Sequence, residues 1–226
     1  MDRTEHLRPE ELGFSITADE LAVTTAVETL LTGDSVPVLE QCLGTADLGD
    51  LPQMLQFDHI GILSLIDPAQ IEAGLSHLGR LSGVRRFPSV IVTARLRERY
   101  PDIFAAEDSL AVEIIKYGLV SDSGIIRELE VFHPASSLPA ATSVWDSEIS
   151  SGNECHHAFR VTADTPLALV QSTLLQDFCT PDGGGVNRHE GTTTLYFRSS
   201  NNPLQRLEVI AAGIDEAIVT GNSPQL

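Results

Sequence analysis

The sequence predicts an α+β protein of two paired βαβββ modules that form a curved mixed sheet around a cavity, with an N-terminal helical extension. Two observations carry that prediction. The order strand, short break, proline-marked helix occurs twice, in DHIGILSLIDPAQIEAGLSHL from Asp58 and in HHAFRVTADTPLALVQSTLL from His156. Each copy is followed by a terminal strand with Leu-Glu-Val at its centre, Leu129-Glu130-Val131 and Leu207-Glu208-Val209. Repeated sequence implies repeated structure, and a lone module would leave one apolar sheet face bare. Pairing the modules, within one chain or across a homodimer, buries those faces.

The elements follow in order. Residues 1–18 read as an irregular lead-in. DELAVTTAVETLLT, 19–32, carries a helical pattern with acidic residues first, as the positive end of the helix dipole prefers. SVPVLEQCL, 35–43, fits a short helix or a strand–helix join. GTADLGDLPQ, 44–53, is a loop by its Gly, Asp and Pro content. Residues 1–54 therefore form the helical extension.

The first module spans 55–134. LQFDHIGIL, 55–63, alternates as a strand. Residues 66–81 form a helix with Pro68 in its first turn, where a missing N–H costs nothing, and with Ile71, Leu75 and Leu78 on one face. FPSVIVTARL, 87–96, reads as a strand, 97–108 as an excursion, and 109–118 and 125–134 as further strands. Residues 135–154, rich in Ser and Ala and poor in periodicity, read as a linker with Trp145 as its anchor. The second module and tail span 155–226. It has a strand at 155–163, a helix at 164–178, a flexible glycine-containing loop at 179–191, and strands at 192–199 and 205–213.

Composition bounds the partners. Of 226 residues, 42% are hydrophobic, enough for a sizeable core. No stretch approaches the ~18 uninterrupted apolar residues of a membrane span. The start, MDRTEHLRPEE, is acidic where a targeting signal would be basic, so a cytoplasmic protein is expected. The net charge of -18 repels phosphate backbones and anionic membranes, which argues against nucleic acid and membrane as partners. Arg80, Arg85, Arg86, Arg95, Arg97 and Arg99 concentrate basic charge. They suit either an anionic ligand or ion pairs with neighbours such as Glu98 and Asp102 on a solvated face. Cys42, Cys155 and Cys179 are odd in number and widely spaced, with no CxxC pair. Gly183-Gly184-Gly185 lacks the GxxxxGK[ST] frame of a phosphate loop.

The strand motifs resemble those of the vicinal-oxygen-chelate superfamily, which includes glyoxalase I, methylmalonyl-CoA epimerase, extradiol dioxygenases and bleomycin-resistance proteins. The matching residues are Asp58-His59-Ile60-Gly61-Ile62, His156-His157-Ala158-Phe159-Arg160-Val161, Leu129-Glu130-Val131 and Leu207-Glu208-Val209. The resemblance covers roughly 55–134 and 155–213. It implies that each first strand offers a histidine and each last strand a glutamate to one divalent ion: His59, Glu130, His157 and Glu208. The superfamily's Pro-Asp-Gly turn before the last strand is missing from both modules.

Imidazole nitrogens and carboxylate oxygens suit Ni, Co, Zn or Mn. These four residues are far apart in the chain and meet only if first and last strands lie together. Along a strand, alternate residues share a face, so His157, Phe159 and Val161 go together and Glu208 goes with Ile210. A one-residue shift in register would exchange His157 for His156. The motif alignment selects His157. Glu128 shares a face with Glu130 and is an alternative inward carboxylate.

Three functions follow. The first is a metal-dependent isomerase, epimerase or lyase. A small substrate, anionic or aromatic, chelates through vicinal oxygens, and Glu130 or Glu208 moves a proton beside an enolate-like centre. The second is an Fe(II) ring-cleaving dioxygenase using His59, His157 and Glu208. Here His189, which follows the glycine loop, His133 and Tyr196 are acid–base groups around the ion. The third is a metal-free binding or sequestering protein, in which Phe57, Phe132, Phe159, Tyr196 and Phe197 line the cavity or pack the core. A Cys155–His nucleophile has little support, because adjacent strand residues face opposite ways.

Overall fold

The structure, a computed structural model, describes residues 7–12, 17–106, 111–135 and 139–223. The chain divides into two compact units. Unit 1 comprises Met1–Thr32 and Ile60–Glu154, and unit 2 comprises Gly33–His59 and Cys155–Leu226. The division falls inside strand β1 (Leu55–Leu63). The fold is a mixed β-sheet carrying two helix–strand modules, each of the βαβββ kind, with a helix at the N-terminal side. Among the described residues no helix is long and apolar enough to cross a membrane.

In unit 1, helix α1 (Ala18–Thr32) starts at a reciprocal cap. The Glu20 amide donates to Thr17 Oγ1 at 3.2 Å, and the Thr17 amide donates to Glu20 Oε2 at 3.0 Å. Val23, Val27, Leu30 and Leu31 make its buried face. Asp67 caps helix α4 (Pro68–His77) by accepting from the Ala69 amide at 2.8 Å, with Pro68 at the tolerant first position. Between α1 and β1 the chain forms α2 (Ser35–Leu43) and α3 (Leu51–Met54), both counted with unit 2. The strands β2 (Leu81–Pro88), β3 (Val112–Val120) and β4 (Ile126–Pro134) run antiparallel, in the order β2-β3-β4-β1.

Two stretches of unit 1 differ from the sequence expectation. The strand expected over 87–96 ends at Pro88 and gives way to helix α5 (Val90–Arg99), followed by α6 (Pro101–Ala106). Ser89 decides it. Its extended backbone and its side chain, which accepts from the Val92 amide at 3.2 Å, start a helix despite the β-branched Val90-Ile91-Val92 run. Val92 and Leu96, four apart, are the buried face. The stretch read as a linker contains helix α7 (Pro139–Ser151). Trp145 is fully buried there and its indole N–H donates to the Phe132 carbonyl at 3.1 Å.

In unit 2 the strand order is β1, β5 (His156–Val161), β8 (Arg206–Ala212), β7 (Thr192–Ser199), β6 (Cys179–Asn187). β5 and β8 are parallel, and β6–β7 and β7–β8 are antiparallel. Helix α8 (Leu167–Asp177) follows β5 and buries Val170 and Leu174. The stretch expected to be a glycine loop is the edge strand β6. At Gly184 a Cβ would meet the Thr194 carbonyl oxygen at 2.5 Å, so glycine permits the close pairing. β7 alternates strictly: Thr193, Leu195, Phe197 and Ser199 are buried, while Thr194, Tyr196 and Arg198 on the other face are half-buried. The segment read as tail forms α9 (Glu216–Gly221), after which the buried Asn222 amide donates to the carbonyls of Gly183 and Tyr196.

Candidate metal centre

The register of unit 2 decides which side chains can meet. Ala158 of β5 pairs with Glu208 of β8, and His157 pairs with Leu207. Paired residues share a sheet face, and so do residues two apart along a strand. His156 therefore stands on the Glu208 face, while His157 stands on the opposite face with Leu207. The histidine that joins His59 and Glu208 is His156, one residue from the one selected by motif alignment.

His59, His156 and Glu208 are all buried, and each offers one ligand atom to a common point. His59 Nε2 lies 3.2 Å from His156 Nε2. Glu208 Oε2 lies 3.0 Å from His156 Nε2 and 3.9 Å from His59 Nε2. With ligand bonds of about 2.0–2.2 Å, neighbouring ligand atoms at right-angled or tetrahedral positions sit roughly 2.8–3.6 Å apart. Two of the three separations fall inside that range and the third lies just beyond it. Two imidazoles and a carboxylate are also a donor set that suits divalent transition metals. The residues present fit an ion.

Groups around the triad orient it. His59 Nδ1 lies 2.9 Å from Asp58 Oδ2, which assigns the proton to Nδ1 and leaves the Nε2 lone pair for the common point. Arg160 Nε donates to the other Asp58 oxygen at 2.5 Å. Burial pushes the Asp58 carboxyl up, but its bonds and charge contacts with His59 and Arg160 outweigh this and hold it below the ordinary carboxylate range. Tyr196, paired with Glu208 across β7 and β8, meets the His156 ring in a T-shaped arrangement with centroids 6.4 Å apart.

His157 has a buried Nδ1 without a hydrogen-bond partner. Burial first, and then the charges of His156 and His59, push its pKa down to about 4, so it is neutral near pH 7. Glu130 is buried on β4 in unit 1 and pairs with Lys116 Nζ at 3.1 Å. Glu128 pairs with Arg85 and lies 3.7 Å from Lys116 Nζ. His189 is exposed in the β6–β7 turn, its amide donating to Asn187 Oδ1 at 3.1 Å. His133 Nδ1 lies 3.0 Å from the Ser64 carbonyl oxygen. The arginines that the sequence left open between ligand and ion pairs make ion pairs at Arg80, Arg85, Arg86, Arg95 and Arg99.

A signal for His156 was present in the sequence. β8 has an apolar side, Leu207 and Val209, and a charged side, Arg206 and Glu208. β5 has an apolar side, Phe159 and Val161, and a polar side, His156 and Arg160. Matching apolar sides across the two strands places His156 with Glu208.

No family model matches the chain, and no curated protein sequence matches it. Solved structures do. The chain is similar to a variant of Streptomyces coelicolor methylmalonyl-CoA epimerase in complex with 2-nitronate-propionyl-CoA, at 15% identity and TM-score 0.38, over 71% of this chain and 99% of that one. It is similar to a hypothetical protein from Bacillus halodurans C-125, at 14% identity and TM-score 0.41, over 71% of this chain and 96% of that one. It is also similar to methylmalonyl-CoA epimerase from Mycobacterium tuberculosis, at 14% identity and TM-score 0.39, over 71% of this chain and 89% of that one. At these identities and TM-scores the likeness says nothing of activity.

Proposed function

We propose that the chain is a divalent-metal-dependent enzyme of the vicinal-oxygen-chelate kind, acting on a small substrate held through two adjacent oxygens. The observation that carries this is the convergence of His59, His156 and Glu208, drawn from three strands, on one point. The strand motifs that resemble the superfamily support it. When bound, the ion supplies Lewis-acid stabilisation of negative charge developing on a chelated oxygen.

The chain's residues divide the remaining work. Asp58 fixes the His59 ring and its tautomer, so that Nε2 is presented as a lone pair. His156 contributes the second nitrogen, and Glu208 the compensating negative charge. In the isomerase, epimerase or lyase reading, Glu208 or Glu130 also moves the proton next to the chelated carbonyl.

A second reading, ring-cleaving dioxygenation with Fe(II), is favoured by one specific observation. The converging set is two histidines and one carboxylate, the facial arrangement that leaves positions for oxygen and a catechol.

Metal analysis of protein purified without chelator separates the readings. Nickel, cobalt, zinc or manganese, with solvent-deuterium exchange into 2-oxo or thioester substrates, supports the first. Iron with oxygen uptake on catechols supports the second. If the protein takes up no divalent ion, and H59A and H156A behave as the wild type, the proposal falls and a binding protein remains.

A further inference from the structure

We infer that Arg160 is a positioning residue of the metal centre, acting through Asp58 to hold the His59 imidazole with its Nε2 lone pair at the common point. This deepens the proposed function and rests on its reading of His59, His156 and Glu208.

Strands β1 and β5 each carry one imidazole and one half of an ion pair. β1 carries Asp58 and His59. β5 carries His156 and, four residues on and on the same face, Arg160. Arg160 Nε donates to Asp58 Oδ1 at 2.5 Å, and Asp58 Oδ2 lies 2.9 Å from His59 Nδ1. Neighbours on a strand ordinarily face opposite ways, so the strand itself does not hold a carboxylate on Asp58 against His59. The bond from Arg160 supplies that hold. With one oxygen fixed by each partner, the carboxylate cannot turn without losing both contacts. At the far end of the two strands the Thr162 amide donates to the Met54 carbonyl at 2.9 Å, and Thr162 Oγ1 donates to the Gln53 carbonyl at 3.2 Å. In order along both strands, the Arg160–Asp58 pair stands between that tie and the two imidazoles.

A merely structural ion pair would behave differently. The Arg160 side chain is 56% exposed, and ion pairs of such arginines add little to stability. Its positive charge also opposes a divalent ion, so by charge alone its loss would tighten metal binding. A positioning group acts with the opposite sign. Without it the Asp58 carboxylate turns to water, the His59 ring loses the acceptor that fixes its tautomer, and Nε2 is presented as a lone pair for only part of the time. Weaker metal binding on removal of a cation is therefore the mark of Arg160 working through Asp58.

The test titrates Co²⁺ into full-length wild type, R160M, R160K, D58N and D58N/R160M in competition with a chelating dye. R160M should weaken Co²⁺ binding by about three- to tenfold, no more than the loss of the supporting carboxylate itself. In the D58N background the same substitution should cause no further weakening, because its route to His59 is already cut. R160K, which can still give one hydrogen bond to Oδ1, should recover part of the loss. The urea midpoint of metal-free R160M should stay at the wild-type value. R160Q takes the place of R160M if R160M does not fold. Unchanged or tighter Co²⁺ binding in R160M, an equal weakening in the D58N background, or a loss that tracks a fall in urea stability overturns the role. If Co²⁺ fails to bind wild type, the metal reading is what has failed. The ¹⁵N shifts of the His59 ring in metal-free protein then decide the positioning role. An Nδ1–H tautomer in wild type that mixes with Nε2–H in R160M supports it, and any other pattern sinks it.

Discussion

His59 Nε2 stands 3.2 Å from His156 Nε2, although the two residues come from different strands and are widely separated in sequence. Two imidazole nitrogens at that distance share a proton or an ion, and Glu208 at 3.0 Å from His156 supplies the negative charge that favours the ion. Substituting His156 by alanine should reduce affinity for Zn²⁺ or Co²⁺ by at least about a hundredfold, a loss of roughly 2.7 kcal/mol. The same change at His157, on the opposite face, should leave affinity within a few-fold of wild type. Competition against a chelating dye reads both. Equal losses, or a loss confined to H157A, would contradict the register that places His156 in the group.

Asp58 bridges His59 Nδ1 and Arg160 Nε. An amide in its place can rotate to accept from one of them but no longer carries the charge that raises imidazole basicity. D58N should weaken metal affinity by about tenfold, the lower end for the loss of such a supporting carboxylate. The stability of the metal-free protein to urea should change far less than the metal affinity does. An unchanged affinity would remove Asp58 from the site.

How far the sequence reveals this protein depends on the scale of the question. β1, α4, β4, β5, α8 and β8 follow from alternation, helical spacing and the prolines at Pro68 and Pro166. The repeated order is enough for two βαβββ modules. α5 was hidden because Val90-Ile91-Val92 has strand-forming side chains, and a single serine hydroxyl capping Val92 outweighs them. β6 was hidden because its glycines, read as loop, serve the close approach to Thr194. The His156–His157 choice needed the apolar and polar sides of β5 and β8 to be matched against each other, which the pattern of neither strand alone provides.

Burial makes two thiols inert. It pushes the Cys179 thiol up to about 12, and pushes Cys42 still further, with the nearby Cys179 adding to the effect. Neither forms thiolate near pH 8, and neither is exposed, whereas Cys155 is half-buried. A disulfide-exchange reagent at pH 8 should therefore titrate one thiol per folded chain, and C155S should abolish that phase. The other two should react only on unfolding. Two fast thiols in native protein would contradict the packing around Cys42 and Cys179.

Asp19 on α1 accepts the Leu65 amide at 2.7 Å. Burial is the largest influence on its carboxyl and raises its pKa above the ordinary 3.8, against the hydrogen bonds that lower it. A raised folded-state pKa means that the folded chain binds the proton more tightly than the unfolded chain. Stability is thus gained as pH falls through the folded value and levels off below the unfolded one. Asparagine at this position has no such gain. The stability of wild type relative to D19N should therefore shift in favour of wild type as pH falls from 7 towards 3.8, read from urea melts at several pH values. A difference that stays flat, or moves the other way, would show that the hydrogen bonds and not burial dominate.

Arg99 stands between two buried carboxylates in unit 1. It pairs with the fully buried Glu148 and meets Glu154 Oε1 at 2.5 Å, while Arg95 meets Glu154 Oε2 at 3.1 Å and Tyr100 donates to Glu148 at 2.8 Å. Burial opposes its charge, but the two carboxylates more than restore it. Removing Arg99 alone strands a buried negative charge. Because Tyr100 still meets Glu148 and Arg95 still meets Glu154, the cost of R99M should fall at or just below the lower end for a broken buried pair, about 2–3 kcal/mol. Removing both charges in R99M/E148M should recover part of that loss, since an apolar pair has no ion to desolvate. Urea denaturation of the two variants measures the difference. A double variant less stable than the single one would mean that the pairing itself, and not the stranded carboxylate, is what α5 and α7 depend on.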